Sequence, residues 1–204
     1  MNFTPDPFWN EIYNQEAFVY GKEPNEYLAT QTKQFIKEGS KVLCIADGEG
    51  RNGVWLSKQN LNVVSFDPCE FAVNKAKLLA QEQETDIEFQ VCDFDSFSWQ
   101  PNSFDVIVGI FIQFGGAEMR QKIFRKAFDT LKSGGLFILQ GYTPKQLEYK
   151  TGGPQTLDPC YTEEMIRDLA KEFEILDLCC YDKVLNEGFK HNGMSALLGL
   201  TCRK

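Results

Sequence analysis

The chain is predicted to be an α/β protein: a doubly wound, mostly parallel seven-stranded sheet ending in a C-terminal antiparallel hairpin. Three observations predict this. Strand-like apolar runs alternate with helix-like segments along most of the 204 residues. The run from Val42 breaks into Gly48-x-Gly50-x-x-Gly53 and continues without proline into Val54, Trp55 and Leu56, a strand, glycine turn and helix start. Two final strand-like runs, Phe173–Lys183 and Met194–Cys202, are separated only by the polar, glycine-containing stretch Asn186–Gly193, so they are expected to pair antiparallel at the sheet edge.

Taken in order, Pro5–Gln15 and Glu23–Lys37 read as helices, the second with Pro24 at an early helical position and its end near Gly39. Strands are expected at Lys41–Ala46, Asn62–Phe66, Ile87–Val91, Phe104–Ile110 and Leu136–Gly141. Helices fall between them at Arg51–Gln59, Glu70–Gln83 and Ala117–Leu131, the last closed by Lys132-Ser133-Gly134-Gly135, and a short helix follows at Glu163–Lys171. No repeat or linker divides the chain. The reading is one domain, 1–204, with a helical lid at 1–38 and a Rossmann-like core at 40–204. Phe8, Trp9, Tyr13 and Phe18 form the expected apolar side of that lid, a segment expected to order over a bound ligand.

Composition narrows the function. A 43% hydrophobic, 25% charged chain is ordinary for a soluble globular protein. With 21 basic against 29 acidic side chains the net charge is −8, which opposes a nucleic-acid surface. Lys122, Arg125 and Lys126 cluster, but as the solvated face of one helix. The seven cysteines include no C-x-x-C pair and read as buried apolar residues of a reducing compartment; with a single histidine, a metal site is not expected. The N-terminus lacks a basic and apolar leader pattern, and the longest apolar stretch, Phe104–Phe114, is too short for a bilayer, so no membrane partner and a cytoplasmic location are expected.

The glycine turn points to a nucleotide. Glycine tolerates positive φ and admits a ligand to the backbone, and the helix start offers N–H groups to anionic or carboxylate groups. The next apolar run ends in Asp67, where a carboxylate meets the two hydroxyls of a ribose. The same fingerprint suits a nicotinamide dinucleotide. Against an oxidoreductase stand the absence of a Tyr-x-x-x-Lys pair and of a separate substrate domain, and the carboxylate Asp93 after the third strand.

From Phe8 onward the chain resembles class I S-adenosylmethionine-dependent methyltransferases, most closely the small bacterial branch related to tellurite-resistance and thiopurine methyltransferases. The resemblance rests on Tyr20-Gly21-x-Glu23-Pro24-Asn25, Gly48-Glu49-Gly50-Arg51-Asn52, Val63-Val64-Ser65-Phe66-Asp67-Pro68, Asp93 and Phe104-Asp105-Val106-Ile107-Val108. It continues in Leu131-Lys132-Ser133-Gly134-Gly135, Tyr142-Thr143-Pro144-Lys145-Gln146-Leu147 and Thr151-Gly152-Gly153-Pro154. It implies S-adenosyl-L-methionine as cofactor. The backbone around Ala46, Asp47 and Gly48 would hold the methionine part, Asp67 the ribose hydroxyls and Asp93 the adenine amino group with Phe94 alongside; Ile110 and Phe111 would flank the ring, and Gly50 and Pro68 belong to the same cofactor-binding set. Arg51 and Asn52 are candidates for contact with cofactor or substrate.

The pattern departs where the family usually has an acid and this chain has Cys44, and where it usually has glycine and this chain has Ala46. Asp47, absent from the usual pattern, is expected to supply the missing negative charge toward the cofactor's ammonium group. On the acceptor side the candidates are Tyr20, Glu187 and His191, the last a base near neutral pH or an exposed loop imidazole. The expected acceptor is a small molecule, a thiol or chalcogen oxyanion by resemblance, with a cofactor-binding protein lacking catalysis as the other reading. The sequence leaves the oligomeric state open.

Overall fold

Seven strands in the order β3-β2-β1-β4-β5-β7-β6 form the sheet of the computed structural model, which describes residues 7–204. They are β1 (Lys41–Ile45), β2 (Asn62–Asp67), β3 (Glu88–Val91), β4 (Phe104–Ile110), β5 (Leu131–Tyr142), β6 (Glu174–Glu187) and β7 (His191–Arg203). β1 to β5 pair in parallel, and β7 slots antiparallel between β5 and β6. The helices are α1 (Pro7–Tyr13), α2 (Glu26–Phe35), α3 (Arg51–Ser57), α4 (Glu70–Glu82), α5 (Ala117–Thr130), α6 (Gln146–Tyr149) and α7 (Glu163–Leu169).

Helices cover both sheet faces, which is why central strands are apolar at consecutive positions rather than alternately: Val42, Leu43, Cys44 and Ile45 are all buried. Leu43, Ile45, Ile107, Phe137 and Leu139 pack with Ile123, Phe124 and Ala127 of α5 and Ile166 of α7. Val42, Cys44, Val106, Val108 and Ile138 pack with Tyr27 and Leu28 of α2 and Leu56 of α3. The period-two split of each strand between these cores fixes its register, because a one-residue slip would exchange every side chain between the faces.

The fold class agrees with the expectation; several boundaries do not. The first expected helix starts at Pro5, outside the described residues, and ends at Tyr13 rather than Gln15. Pro24 precedes α2 instead of entering it, because Asn25 takes the cap and its side chain accepts from Leu28 N at 3.0 Å. Tyr27 and Leu28 of α2 are core residues, whereas Trp9, Ile12 and Tyr13 of α1 pack with Val19, Tyr20, Cys69 and Ala72. Lys132–Gly135 falls inside β5, and α6 is a helix the sequence pattern missed. The expected loop Asn186–Gly193 shrinks to the turn Gly188–Lys190, so Glu187 and His191 are cross-strand partners at the hairpin tip.

Candidate active site

The turn after β1 is built on left-handed backbone: Ala46, Gly48 and Gly50 have φ of 47°, 59° and 80°. Ala46 carries about 1–2 kcal/mol of strain that glycine would avoid. At Gly50 a Cβ would lie 2.6 Å from that of Ala76, so its absence lets the start of α3 close on α4. Two carboxylates brace the turn. Asp67 accepts from Gly48 N at 2.9 Å and Cys69 N at 2.8 Å, and Asp47 accepts from Gly53 N at 3.1 Å and Ser65 Oγ at 3.3 Å. Burial pushes Asp67 up to about 6 and Asp47 up to about 7, against those hydrogen bonds. Each carboxylate keeps lone pairs for a ligand.

Cys44, where an acid was expected by resemblance, is buried in the apolar layer beneath α2. The Asp47 charge is close enough to help raise the Cys44 thiol, after burial itself.

A cavity of about 820 Å³ opens over the strand ends, inside the ~300–1,000 Å³ range of small-molecule sites. Asp93, Phe94, Pro68, Ile110, Phe114 and Met119 line it toward β2, β3 and α5. Asp93 accepts from Ser96 N at 2.7 Å and from the Ser96 hydroxyl, the latter foremost in lowering its carboxyl below the ordinary range. Phe94 is buried and tilted on Trp99 with ring centroids 4.6 Å apart. α1 covers the opening: Trp9 stacks on Tyr13, and a side chain at Gly48 would strike the Tyr13 hydroxyl at 2.8 Å.

The opposite end gathers residues from distant parts of the chain. Tyr20 lies 4.4 Å, ring to ring, from His191; Phe111 is 4.4 Å from His191 and 4.8 Å from Tyr142. Phe111, held at φ 58° with its N–H on Gln140 O at 2.7 Å, packs its ring against Tyr142 and His191 on the cavity that Ile110 also lines. Arg51 Nη2 donates to Glu187 Oε2 at 2.7 Å in a buried ion pair, and Asn25 Nδ2 donates to Glu187 Oε1 at 3.0 Å and Gln140 Oε1 at 2.6 Å. Asn52 Oδ1 accepts from Asn25 N at 2.9 Å. Burial alone would raise the Glu187 carboxyl, but His191 and Arg51 outweigh it and hold it below its ordinary value.

His191 is buried, not an exposed loop imidazole. Its Nδ1 stands 3.7 Å from Glu187 Oε2, and it and the Tyr142 hydroxyl have no hydrogen-bond partner among the described residues. Burial pushes the imidazole below 6.5, opposed by Glu187 and assisted by the Arg51 charge.

Sequence reasoning missed Glu49, Tyr142, Gln113 and Met119, all lining the cavity. Glu49 accepts from Val19 N at 2.8 Å and Tyr20 N at 3.2 Å and pairs with Lys75, fastening the covering segment to the glycine turn. Its position inside Gly48-Glu49-Gly50 was the available signal. Gln113 bridges β5 to the following loop by donating to Tyr142 O and Pro159 O at 2.9 and 2.7 Å. Among the described residues no cluster of three or more His, Cys, Asp or Glu is arranged for a metal, and no helix is long and apolar enough to cross a membrane.

The architecture is the Rossmann-like fold of class I methyltransferases. Residues 42–135 match a family described as a methyltransferase domain. The chain is 30% identical over 96 residues to the tRNA (uracil(54)-C(5))-methyltransferase of Pyrococcus abyssi, covering 41% of this chain and 24% of that protein. It is 26% identical over 109 residues to the carboxy-S-adenosyl-L-methionine synthase of Nautilia profundicola, covering 52% of this chain and 46% of the other. It thus spans under half the length of these curated relatives. TehB from Haemophilus influenzae superposes with a TM-score of 0.72 at 18% identity, over 97% of this chain and 66% of that one.

Proposed function

We propose that the crevice binds S-adenosylmethionine and presents its methyl group to a small-molecule acceptor. The observation that carries this is the placement of Asp67 and Asp93, at the tips of β2 and β3, around the glycine turn within one cavity. The residues fit the group: of the acids lining the cavity, Glu49 pairs with Lys75 and Asp95 with Lys122, which leaves Asp47, Asp67 and Asp93 without an ion-pair partner among the described residues, a field suited to a ligand bearing sulfonium and ammonium charges. When bound, the sulfonium supplies an already activated methyl donor. Asp67 takes the ribose hydroxyls through its free lone pairs and Asp93 the adenine amino group, with Phe94 and Ile110 against the ring. Ala46, Asp47, Gly48 and Gly50 hold the methionine end, and Tyr20, Glu187 and His191 form the acceptor end.

The acidic cavity and the net charge of −8 favour a small molecule over the nucleic acid modified by some relatives. Of the acceptors the branch resemblance suggests, a thiol or a chalcogen oxyanion, this field disfavours the oxyanion. S-adenosylmethionine is expected to raise Tm in proportion to the logarithm of its concentration and NAD to leave it unchanged; the reverse would make the protein an oxidoreductase.

Two further outcomes follow. Asp47 and Asp67 hold protons more tightly in the empty protein than in the unfolded chain, so its stability from these groups declines between about pH 4 and 7. A cationic ligand expels those protons, so donor affinity is expected to rise across the same window, by up to about tenfold per pH unit for each proton released. Titration calorimetry between pH 5.5 and 8 checks it. The segment from α1 to Tyr20 closes over the ligand, so saturation with donor is expected to slow deuterium exchange across residues 7–20; unchanged exchange would remove the lid.

A further inference from the structure

We propose that His191 is the general base of this site, oriented by Glu187, and that the acceptor is a neutral, flat aromatic or heteroaromatic molecule bearing its reacting atom as O–H or ring N–H. This rests on the methyl-transfer reading above.

Charge decides against an anionic acceptor. Of the two cations lining the cavity, Arg51 is bound to Glu187 and Lys190 is exposed at the hairpin turn. An oxyanion would meet no unpaired buried cation among the described residues: Glu49 and Asp95 are held by Lys75 and Lys122, while Asp47, Asp67 and Asp93 have no ion-pair partner. The walls decide the shape: Tyr20, Phe111 and Tyr142 surround the imidazole with their rings, and Gly153, whose Cβ would lie 2.7 Å from the Tyr142 ring, brings backbone rather than a side chain over that wall. Such surfaces accept a planar ring by stacking or edge contact.

The base follows from what surrounds it. Glu187 from β6, Arg51 from α3, Tyr20 from the covering segment and Tyr142 from β5 are the titratable or charged groups facing His191. With Nδ1 turned to Glu187 and carrying the proton, Nε2 is the acceptor atom left for the cavity. The 3.7 Å gap to Glu187 is the loose spacing expected before a ligand compresses the site. In the reaction the acceptor's lone pair forms a bond to the methyl carbon, the carbon–sulfur bond breaks with its electron pair on sulfur, and the acceptor's proton passes to Nε2. Positive charge thereby moves from sulfur to an imidazole already facing a carboxylate, and solvent removes the proton after product leaves. Glu187 is a positioning residue.

His191 is the single histidine of the chain, so its nitrogen resonances need no assignment. In ¹⁵N spectra we expect the Nδ1–H tautomer, a lower titration midpoint in Glu187→Gln, partial return in Glu187→Asp, and a shift of the Nε2 signal on adding benzimidazole or 2-naphthol to the donor-saturated protein. Release of S-adenosylhomocysteine with these probes should rise with pH to a plateau, and His191→Asn should lower kcat/KM about 10²–10⁴-fold with donor binding by calorimetry unchanged. An Nε2–H tautomer, an Nε2 signal unmoved by both probes, or preferential turnover of selenite would overturn the assignment. Absence of donor binding in the wild type would instead overturn the methyl-transfer reading beneath it.

Discussion

Asp67→Ala is expected to lower donor affinity about 10²-fold or more, the equivalent of one or two hydrogen bonds to a charged group at about 1.5–3 kcal/mol each. The carboxylate sits at the C-terminal tip of β2 with both oxygens already placed by Gly48 N and Cys69 N. A ribose would therefore meet a rigid acceptor. Removing it also leaves two N–H groups in a buried turn without partners, so stability should drop by about 2 kcal/mol. Calorimetry well below the variant's Tm separates the effects. A variant that loses stability yet binds donor like the wild type would make Asp67 a structural brace only.

The second large effect concerns Arg51. Its guanidinium is buried with the Glu187 carboxylate, and breaking such a pair from one side costs about 3–5 kcal/mol because the surviving charge has nowhere to go. Arg51→Ala is expected to lose that much in urea denaturation at pH 8. The pH dependence should also change. In the wild type the lowered Glu187 carboxyl contributes stability that is present above its unfolded value and lost as pH falls through the folded one. Without Arg51 the carboxyl keeps His191 but loses the rest of what lowers it, so its folded value rises and the deficit against wild type should shrink toward pH 5. Adding Glu187→Gln to Arg51→Ala should recover part of the loss, as coupled neighbours do. A deficit that is small and independent of pH would show that water screens this pair.

Much of this site was readable because its chemistry lies in local patterns. The glycine turn, Asp67 and Asp93 each sit at the end of an apolar run whose period already fixes a parallel strand, and the sheet then places the tips side by side. Glu187 and His191 were harder. Polar residues flanking Gly188 read as a loop, yet they continue the strand pairing because Val184–Glu187 and His191–Met194 hold register to the tip. The burial of His191 depends on Tyr20, Phe111 and Tyr142, three residues that no local pattern joins. Asn25 shows the same limit: its cap to α2 is legible, whereas its reach to Gln140 and Glu187 spans 115 and 162 residues. The direction of the Phe111 ring was set by its left-handed backbone, which a phenylalanine in sequence does not announce.

The insertion of β7 between β5 and β6 also orders events in time. During synthesis β6 emerges before the strand that joins it to the sheet, so it must wait as an unpaired, 14-residue ribbon until β7 follows. Docking of the completed β6–β7 hairpin onto β5 is the long-range step that brings Glu187 beside Arg51. A chain stalled before that moment would therefore be aggregation-prone along its open ribbon and inert at once, so acquisition of activity should report completion of folding.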